Sequence, residues 1–339
     1  MQTAIAAIFV FGLLILAHEL GHYFVARATG VRVLELAIGF GPKLVGWSKK
    51  GIDYSLRAVP LGGFCRMLGE DPEEADEEDS FPKQPIWVRA SVLLAGSVMN
   101  LLLALVVFFL VYFFIIGVAN TDTSRIGYII DDSPAEEAGI EPGDVITAID
   151  GNPVQEWDDV LTLISAKPEE EVVLLIERNG FIEEMQLVAE MEPETERGII
   201  GIGPPVEKYR FFPSLQGSIA QFAFILQALY DALFGDAPLD VTGPVGIVHV
   251  IGEVAQVGFI NLLLLTGLIS INLGIINLLP IPALDGGRLL FLVIEAIRGR
   301  PIEPEKEGLV HFIGFAVLIT LILFVTYQDL LRFVFLSGD

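Results

Sequence analysis

The sequence predicts a polytopic α-helical membrane protein with four transmembrane helices, interrupted by two β-structured regions. Hydrophobic residues make up 53% of the 339 residues, charged residues only 19%, and the mean hydropathy is +0.62. This composition is unlike that of a soluble globular chain. Four apolar stretches come close to the ~20 residues that cross a bilayer. They are residues 3–26, 97–118, 259–279 and 309–327.

The first stretch contains a His-Glu-Leu-Gly-His run at positions 18–22. His18 and His22 are four residues apart, so they share one helical face, about 6 Å apart along the axis, and can bind one tetrahedral metal ion. Glu19 beside them can take a proton from a metal-activated water. Ionisable groups in hydrocarbon cost about 2.5–3.5 kcal/mol each, which a bound metal compensates. A polar helix face that meets a partner is the alternative.

The distribution of Lys and Arg predicts the orientation in the membrane. Basic residues concentrate between the first and second stretches and between the third and fourth. Basic loops stay in the cytoplasm, so both termini and the segment between the second and third stretches are expected to be extracytoplasmic. The first stretch has no basic region before it and is expected to remain as an anchor. These features predict a multi-pass protein of the plasma (inner) membrane.

The charge of the chain bears on its partners. The formal net charge is −24, which argues against nucleic acid as a partner, whereas the apolar stretches predict contact with the lipid bilayer. Cys65 is the single cysteine, so no internal disulfide is possible. His249 and His311 lie away from the ligand motif and are interpreted as structural.

Residues 33–66, which follow the metal motif, predict short strands with turns on the cytoplasmic side. A transmembrane helix cannot be cut while its carbonyl groups are hydrogen-bonded, so an enzyme must unwind it and offer other partners. A strand edge in this region can supply them by strand addition. An ordinary cytoplasmic hairpin is the alternative.

A β-rich module is predicted at residues 123–192, between the second and third stretches. Its turn motifs resemble the circularly permuted PDZ domains of bacterial envelope proteases. They are Ser133-Pro134-Ala135, Ala138-Gly139-Ile140, Pro142-Gly143-Asp144 and Ile149-Asp150-Gly151. PDZ domains add an extended peptide to a strand edge, and the groove is expected at Ile126, Gly127, Tyr128 and Ile129. A domain that only gates access is the alternative.

The connector at residues 193–257 includes an apolar helix at about 214–234. Gln216, Gln221, Gln227 and Asp231 interrupt its apolar face, which predicts a helix in the membrane interface rather than a fifth span.

Asp285 is the predicted third metal ligand, since a catalytic zinc takes three protein ligands and keeps one position for water. It lies in a segment, 277–287, whose two prolines and two glycines break the helix at the end of the third stretch. Irregular backbone at membrane depth must face protein or a water-filled cavity, so Asp285 is expected to meet the two histidines. A cap for the next helix is the alternative role.

Taken together, the motifs resemble those of the site-2 protease family of intramembrane zinc metalloproteases, in its bacterial-type subgroup with a PDZ domain. The carrying motifs are His-Glu-x-x-His at 18–22, Gly39-Phe40-Gly41-Pro42, Pro60-Leu61-Gly62-Gly63, Thr242-Gly243-Pro244-Val245-Gly246 and Asn-x-x-Pro-x-x-x-Leu-Asp-Gly at 277–286. The resemblance implies that His18, His22 and Asp285 bind Zn²⁺, that Glu19 is the general base, and that Asn277 positions substrate or stabilises the oxyanion. One departure is Ser97, where the family commonly has proline.

The resemblance also implies an organisation and an activity. Helices 1 and 2 with a re-entrant β-hairpin region at about 33–66 occupy 1–122, the PDZ domain 123–192, the connector 193–257, and helices 3 and 4 residues 258–339. The expected activity is zinc-dependent intramembrane cleavage of single-span membrane proteins, already shortened by another protease, such as anti-sigma factors or remnant signal peptides. A zinc transporter and a membrane-anchored PDZ scaffold are the alternatives.

Overall fold

The computed structural model describes residues 1–70, 74, 76–193, 195–235 and 243–332. The chain divides into two compact units. The first, here the helical unit, comprises Met1–Val111 and Ser218–Asp339, and the second, here the inserted domain, is Tyr112–Gly217. In chain order the helices are α1 (Gln2–Thr29), α2 (Ile86–Leu110), α3 (Pro134–Glu137), α4 (Trp157–Ser165), α5 (Phe211–Phe234), α6 (Pro244–Val257), α7 (Phe259–Leu278), α8 (Asp285–Arg298) and α9 (Pro304–Leu330).

Among the described residues, four helices, α1, α2, α7 and α9, are long and apolar enough to cross a membrane, which agrees with the predicted number of spans. The predicted start of the second span was wrong. α2 begins at Ile86, after Pro85, and its candidate span continues through a π-helical turn to Ile116. The prediction began at residue 97 because Arg89 interrupts the apolar run, but Glu295 pairs with that charge. Gly96, Ser97 and Asn100 therefore lie in the middle of the helix.

Small residues let α1 and α2 approach closely. Gly21 of α1 faces the backbone of Ala95 in α2, and a methyl group on Gly21 would overlap the Ala95 carbonyl oxygen. Close backbone contact over small residues is a common way for helices to associate in lipid, where burial of apolar surface gives little driving force. This contact holds the motif in α1 directly against α2.

α6 was not predicted, although the Gly-Pro-Val-Gly motif begins it. Pro244 takes the first helical position, where the missing N–H costs nothing. The buried carboxylate of Asp329 in α9 accepts the N–H groups of Gly243, at 3.2 Å, and Gly246, at 2.7 Å. α6 packs in turn on α1, where Ile251 joins a buried cluster with Val10. Thr242 of the predicted motif lies outside the described residues.

Two long antiparallel strands, β1 (Val33–Lys49) and β2 (Ile52–Met67), follow α1. They do not form a simple hairpin. Residues 35–38 pair on one side with 63–66 and on the other with 53–56, while 43–49 pair with 52–57. Gly39 and Gly41, with φ of 89° and 82°, allow the bend that this double pairing requires. The base of the sheet packs on α1 and α2, whereas side chains toward its far end, such as Leu44 and Trp47, are exposed.

The inserted domain contains the remaining strands. They are β3 (Val118–Ala119), β4 (Tyr128–Ile129), β5 (Val145–Ile149), β6 (Asn152–Pro153), β7 (Glu171–Arg178), β8 (Phe181–Val188), β9 (Glu190–Met191), β10 (Gly198–Ile199), β11 (Ile202–Gly203) and β12 (Val206–Glu207). A four-stranded sheet in the order β6-β5-β7-β8 packs against α4 around a buried core. The unit extends beyond the predicted 123–192, because β11 pairs with β4 and Ile200 belongs to the core.

Candidate active site

Three side chains predicted as metal ligands meet in the helical unit. The Nε2 atoms of His18 and His22 lie 3.2 Å apart. Asp285 Oδ2 is 3.2 Å from His18 Nε2 and 3.3 Å from His22 Nε2. Two adjacent turns of α1 thus supply the nitrogen atoms, and the first residue of α8 supplies the oxygen.

This triangle fits a zinc ion. Ligand bonds of about 2.0–2.1 Å at tetrahedral angles place neighbouring ligand atoms roughly 3.3 Å apart, close to the observed separations. Asp285 Oδ2 is buried and has no hydrogen-bond partner among the described residues, as expected of an oxygen whose lone pair faces a metal. Within the described part of the chain, these are the His, Cys, Asp and Glu side chains that converge closely enough to hold an ion.

Groups of α2 contact the Nδ1 atoms of the two imidazole rings, on the side away from Asp285. His22 Nδ1 lies 2.8 Å from the carbonyl oxygen of Val92, an acceptor, so Nδ1 carries the proton and Nε2 keeps its lone pair for a metal. Asn100 Nδ2 lies 3.4 Å from His18 Nδ1; with the amide oxygen and nitrogen exchanged, the Asn100 oxygen would accept from His18 Nδ1 in the same way. The Val92 contact favours the His22 tautomer that ligates through Nε2.

The backbone before Asp285 places its carboxylate. α7 ends at Leu278, and Pro280 and Pro282 prevent the helix from continuing. Gly286 and Gly287 pack so tightly against the carbonyl groups of 278, 279 and 281 that a side chain at either glycine would overlap them. Asp285 therefore takes the first helical position of α8 and faces the histidines, whereas the N-cap position belongs to Leu284 and has no side-chain capping hydrogen bond.

Glu19 lies beside the sheet. The backbone of Cys65 in β2 lies near the Glu19 carboxylate, and a methyl group on Gly63 would come within 3.3 Å of Glu19 Cγ. The segment 63–66 of β2 thus runs next to the predicted general base.

Gly96 is a site residue that the sequence did not reveal. A Cβ atom at this position would lie 2.5 Å from His22 Nε2 and 2.7 Å from His18 Cε1. Its neighbour Ser97, the departure from the family pattern, is fully buried in α2 and leaves its helix unbroken. A small residue in the middle of a span would have been the only signal, and the late predicted start of α2 hid it.

The other predicted site residues lie elsewhere. Asn277 is half-buried in the last turn of α7, and its role stays a prediction. In the inserted domain, Ile126 is fully buried and its N–H pairs with Asp144 O at 2.7 Å. The Gly127 N–H pairs with Gly203 O at 2.7 Å. Tyr128 and Ile129 form β4, where Tyr128 is half exposed. Peptide binding by this segment also stays a prediction.

Comparison with known proteins gives a consistent result. Residues 6–321 match Peptidase family M50. Zinc metalloprotease RasP from Oceanobacillus iheyensis is 33% identical, and the match covers 98% of this chain and 99% of that protein. Regulator of sigma-W protease RasP from Bacillus subtilis is also 33% identical, with coverage of 98% and 99%. A solved PDZ domain from a Listeria monocytogenes SdrC-like protein is 24% identical over 24% of this chain and 87% of that domain, with a TM-score of 0.22.

Four membrane-length helices around a His-Glu-x-x-His centre define an integral-membrane metallopeptidase. The chain belongs to peptidase family M50, the site-2 protease family. It is a multi-pass membrane zinc metalloendopeptidase, and Zn²⁺ is its cofactor.

Proposed function

We propose that this enzyme hydrolyses peptide bonds of single-span membrane proteins within or near the bilayer, as a step of regulated intramembrane proteolysis. The observation that carries the proposal is the triangle of His18 Nε2, His22 Nε2 and Asp285 Oδ2, with sides of 3.2–3.3 Å, formed partly by a helix of membrane-spanning length. These three residues would hold the zinc ion.

The residues around this triangle have distinct roles. Zinc supplies a Lewis acid that polarises the scissile carbonyl group and makes water more acidic. Glu19, one residue after His18, takes the proton of the attacking water and delivers it to the leaving nitrogen. The Val92 carbonyl keeps the Nε2 lone pair of His22 directed at the ion, and the Asn100 amide oxygen, turned toward His18 Nδ1, would do the same for His18. Asn277 positions the substrate or donates a hydrogen bond to the developing oxyanion.

β2 provides a place for the substrate backbone. A transmembrane helix has to unwind before cleavage, and its freed N–H and C=O groups need partners in a dry environment. The 63–66 segment pairs with β1 on one edge and runs beside Glu19, which supports addition of an unwound substrate strand next to the general base. The β region is accordingly proposed as a re-entrant element reached from the cytoplasmic side.

The membrane orientation follows from the basic loops. We place both termini and the inserted domain outside the plasma membrane and the ligands toward its cytoplasmic side. The inserted domain, as a PDZ-type filter, then admits substrates that another protease has already shortened. One relative is named a regulator of sigma-W protease, which supports membrane-bound anti-sigma factors as a substrate class, with remnant signal peptides as another.

Replacement of Glu19 by Gln tests the chemistry. The substitution keeps shape and volume but removes the base, so cleavage of a single-span reporter should fall by at least about 100-fold, the range of general-base contributions. Zinc content and thermal unfolding should change little. Glu253→Gln, at an exposed position of α6, is the matched control and should cleave normally. Retained turnover in Glu19→Gln would remove Glu19 from the base role.

Zinc flux into vesicles distinguishes the transporter alternative. The three ligands converge at one point, and within the described residues no further ligand cluster marks a path across the membrane. Vesicles that contain the purified enzyme should therefore take up zinc no faster than empty vesicles.

A further inference from the structure

The turn before Asp285 is under backbone strain. Ala283, two residues earlier, has φ of 78°, in the left-handed region that residues with a Cβ atom avoid. Within the turn, hydrogen bonds join residues close in sequence, from the Ile281 N–H to Leu279 O at 2.7 Å and from the Leu284 N–H to Ile281 O at 3.2 Å. A strained turn persists only where its surroundings hold it, so some group outside the turn must do so.

α9 supplies that group. His311 Nδ1 accepts the N–H of Ala283 at 2.9 Å. The imidazole ring is largely shielded and lies 5.4 Å from the ring of Phe291 in α8, so its position is defined. One turn further along α9, Gly314 packs against Pro282 with no room for a methyl group. α9 thus contacts the two residues that come just before Leu284 and Asp285.

We propose that His311 is a positioning residue for the reaction: its Nδ1 atom holds the strained turn that directs the Asp285 carboxylate toward His18 and His22. The inference rests on the proposed role of these three residues as zinc ligands. The Ala283 N–H is a donor, so Nδ1 must be the unprotonated nitrogen of a neutral ring. α9 then has a task beyond crossing the membrane, because it fixes one of the three ligands.

The chemistry of the contact selects the test variants. Asn can place its Oδ1 near the position of Nδ1, whereas Leu fills the space and offers no acceptor. Gln carries its oxygen one bond further away and should serve poorly. Gly at position 283 adopts positive φ without strain, so Ala283→Gly should remove the need for His311.

The experiment measures zinc affinity of the full-length protein in detergent, by competition with a chelator, together with the visible absorption of the Co²⁺-substituted protein. His311→Leu should bind zinc about 10- to 100-fold more weakly, the usual effect of removing a group that orients a ligand, and its cobalt bands should lose tetrahedral character. His311→Asn should stay within about 3-fold of the parent on the same scale. His311→Leu/Ala283→Gly should recover most of the lost affinity.

His249→Leu is the matched control, because His249 lies on α6, half exposed, and contacts Glu253. It should leave both readouts unchanged. Parent-like affinity and spectrum in His311→Leu would overturn the proposal, as would equal losses in the Asn and Leu variants or no recovery with Ala283→Gly. If His311→Leu does not fold, the Gln and Asn pair gives the same comparison. Unchanged zinc affinity in His18→Ala would instead overturn the proposed metal site, so the two failures are distinguishable.

Discussion

Gly96 shows how a residue without a side chain defines the metal centre. Its Cα leaves the space in which both imidazole rings turn toward Asp285, and a Cβ atom there would come within 2.5 Å of His22 Nε2. Real Cβ contacts of this length do not occur, so a substitution must displace a ring. Because displacement of about 1 Å can cost 100-fold in an active site, this position has little tolerance.

Gly96→Ala should therefore lower zinc affinity at least about 10-fold and cleavage by more, since ring displacement disturbs both binding and geometry. The measurement is chelator competition with the purified protein, followed by cleavage at saturating zinc. Gly12→Ala in α1 is the control, because nothing lies within 4 Å of its added methyl group. Equal zinc affinity of Gly96→Ala and Gly12→Ala would show that the rings adapt.

Sequence patterns predict residues that act through their own chemistry. The four-residue spacing of His18 and His22 and the carboxylate of Asp285 indicated a metal, and the structure brings these side chains together. Gly96 acts because it lacks a side chain, and Val92 acts through its backbone carbonyl. His311 acts through a contact with Ala283, which is 28 residues away in the sequence. Residue type and spacing alone do not reveal such roles.

At the scale of elements, an ion pair joins α2 to α8, the helix that begins with Asp285. Arg89 donates two hydrogen bonds to Glu295, at 3.0 and 2.5 Å, and each side chain is only 13% exposed. A planar guanidinium that meets a carboxylate through two parallel bonds fixes orientation as well as distance. The pair therefore holds the far end of α8, while the strained turn holds its beginning.

Arg89→Gln should destabilise the protein by about 1–3 kcal/mol, less than the 3–5 kcal/mol of a fully buried pair because both groups keep some exposure. Thermal unfolding in detergent measures this, and the Arg89→Glu/Glu295→Arg exchange should recover part of the loss. Lys306→Gln is the control, because its pair with Glu303 is more than 60% exposed on each side and should contribute less than about 1 kcal/mol. An exchange variant no better than Arg89→Gln would show that the pair is not specific.

The elements that the sequence failed to predict have physical explanations. Hydropathy located α1, α7 and α9 within a few residues, but Arg89 concealed the first three turns of α2. α6 has only 14 residues, too few to stand out as a span. The double pairing of β1 with β2 depends on a bend at two glycines and on contacts with α1 and α2, which strand alternation does not encode.

At the scale of the whole molecule, the inserted domain contains ion pairs that make its stability depend on pH, Lys167 with Asp150 and Arg178 with Asp144. Hydrogen bonds from the Lys167 ammonium and the Val173 N–H hold the pKa of Asp150 below its ordinary value of 3.8. Burial alone would raise the pKa of Asp144, but two hydrogen bonds from Arg178 lower it. Groups with lowered folded-state pKa values stabilise the fold above their ordinary pKa.

The stability of the inserted domain should therefore be constant near neutral pH and fall as the pH drops below about 3.8 through the lowered pKa values. Urea unfolding monitored by Trp157 fluorescence, in a protein with Trp47 and Trp87 replaced by Phe, measures this. Asp150→Asn should flatten the acid-side slope, whereas Asn at the exposed Asp131 should not. A parent-like slope in Asp150→Asn would exclude Asp150 as a contributor.

The sequence predicted the overall architecture more accurately than the boundaries of the individual elements. Composition and hydropathy predicted a polytopic protein with four long apolar helices, and these agree with the structure. The core of the inserted domain continues past the predicted end at residue 192, because Ile200 enters it from the link between the two-residue strands β10 and β11. Long-range pairing of two-residue strands leaves no local pattern to detect.

Through Asp329, α9 helps to hold α6, the helix that supports α1. Its carboxylate accepts two amide protons at the start of α6, and α6 lies along the opening turns of α1, where Gly252 meets Thr3. Deletion from residue 329 onward would leave those amides without their acceptor in an apolar interior. A purification tag should therefore be attached after Asp329. Proteolytic loss of Asp329 would weaken the packing of α6 on the N-terminal turns of α1.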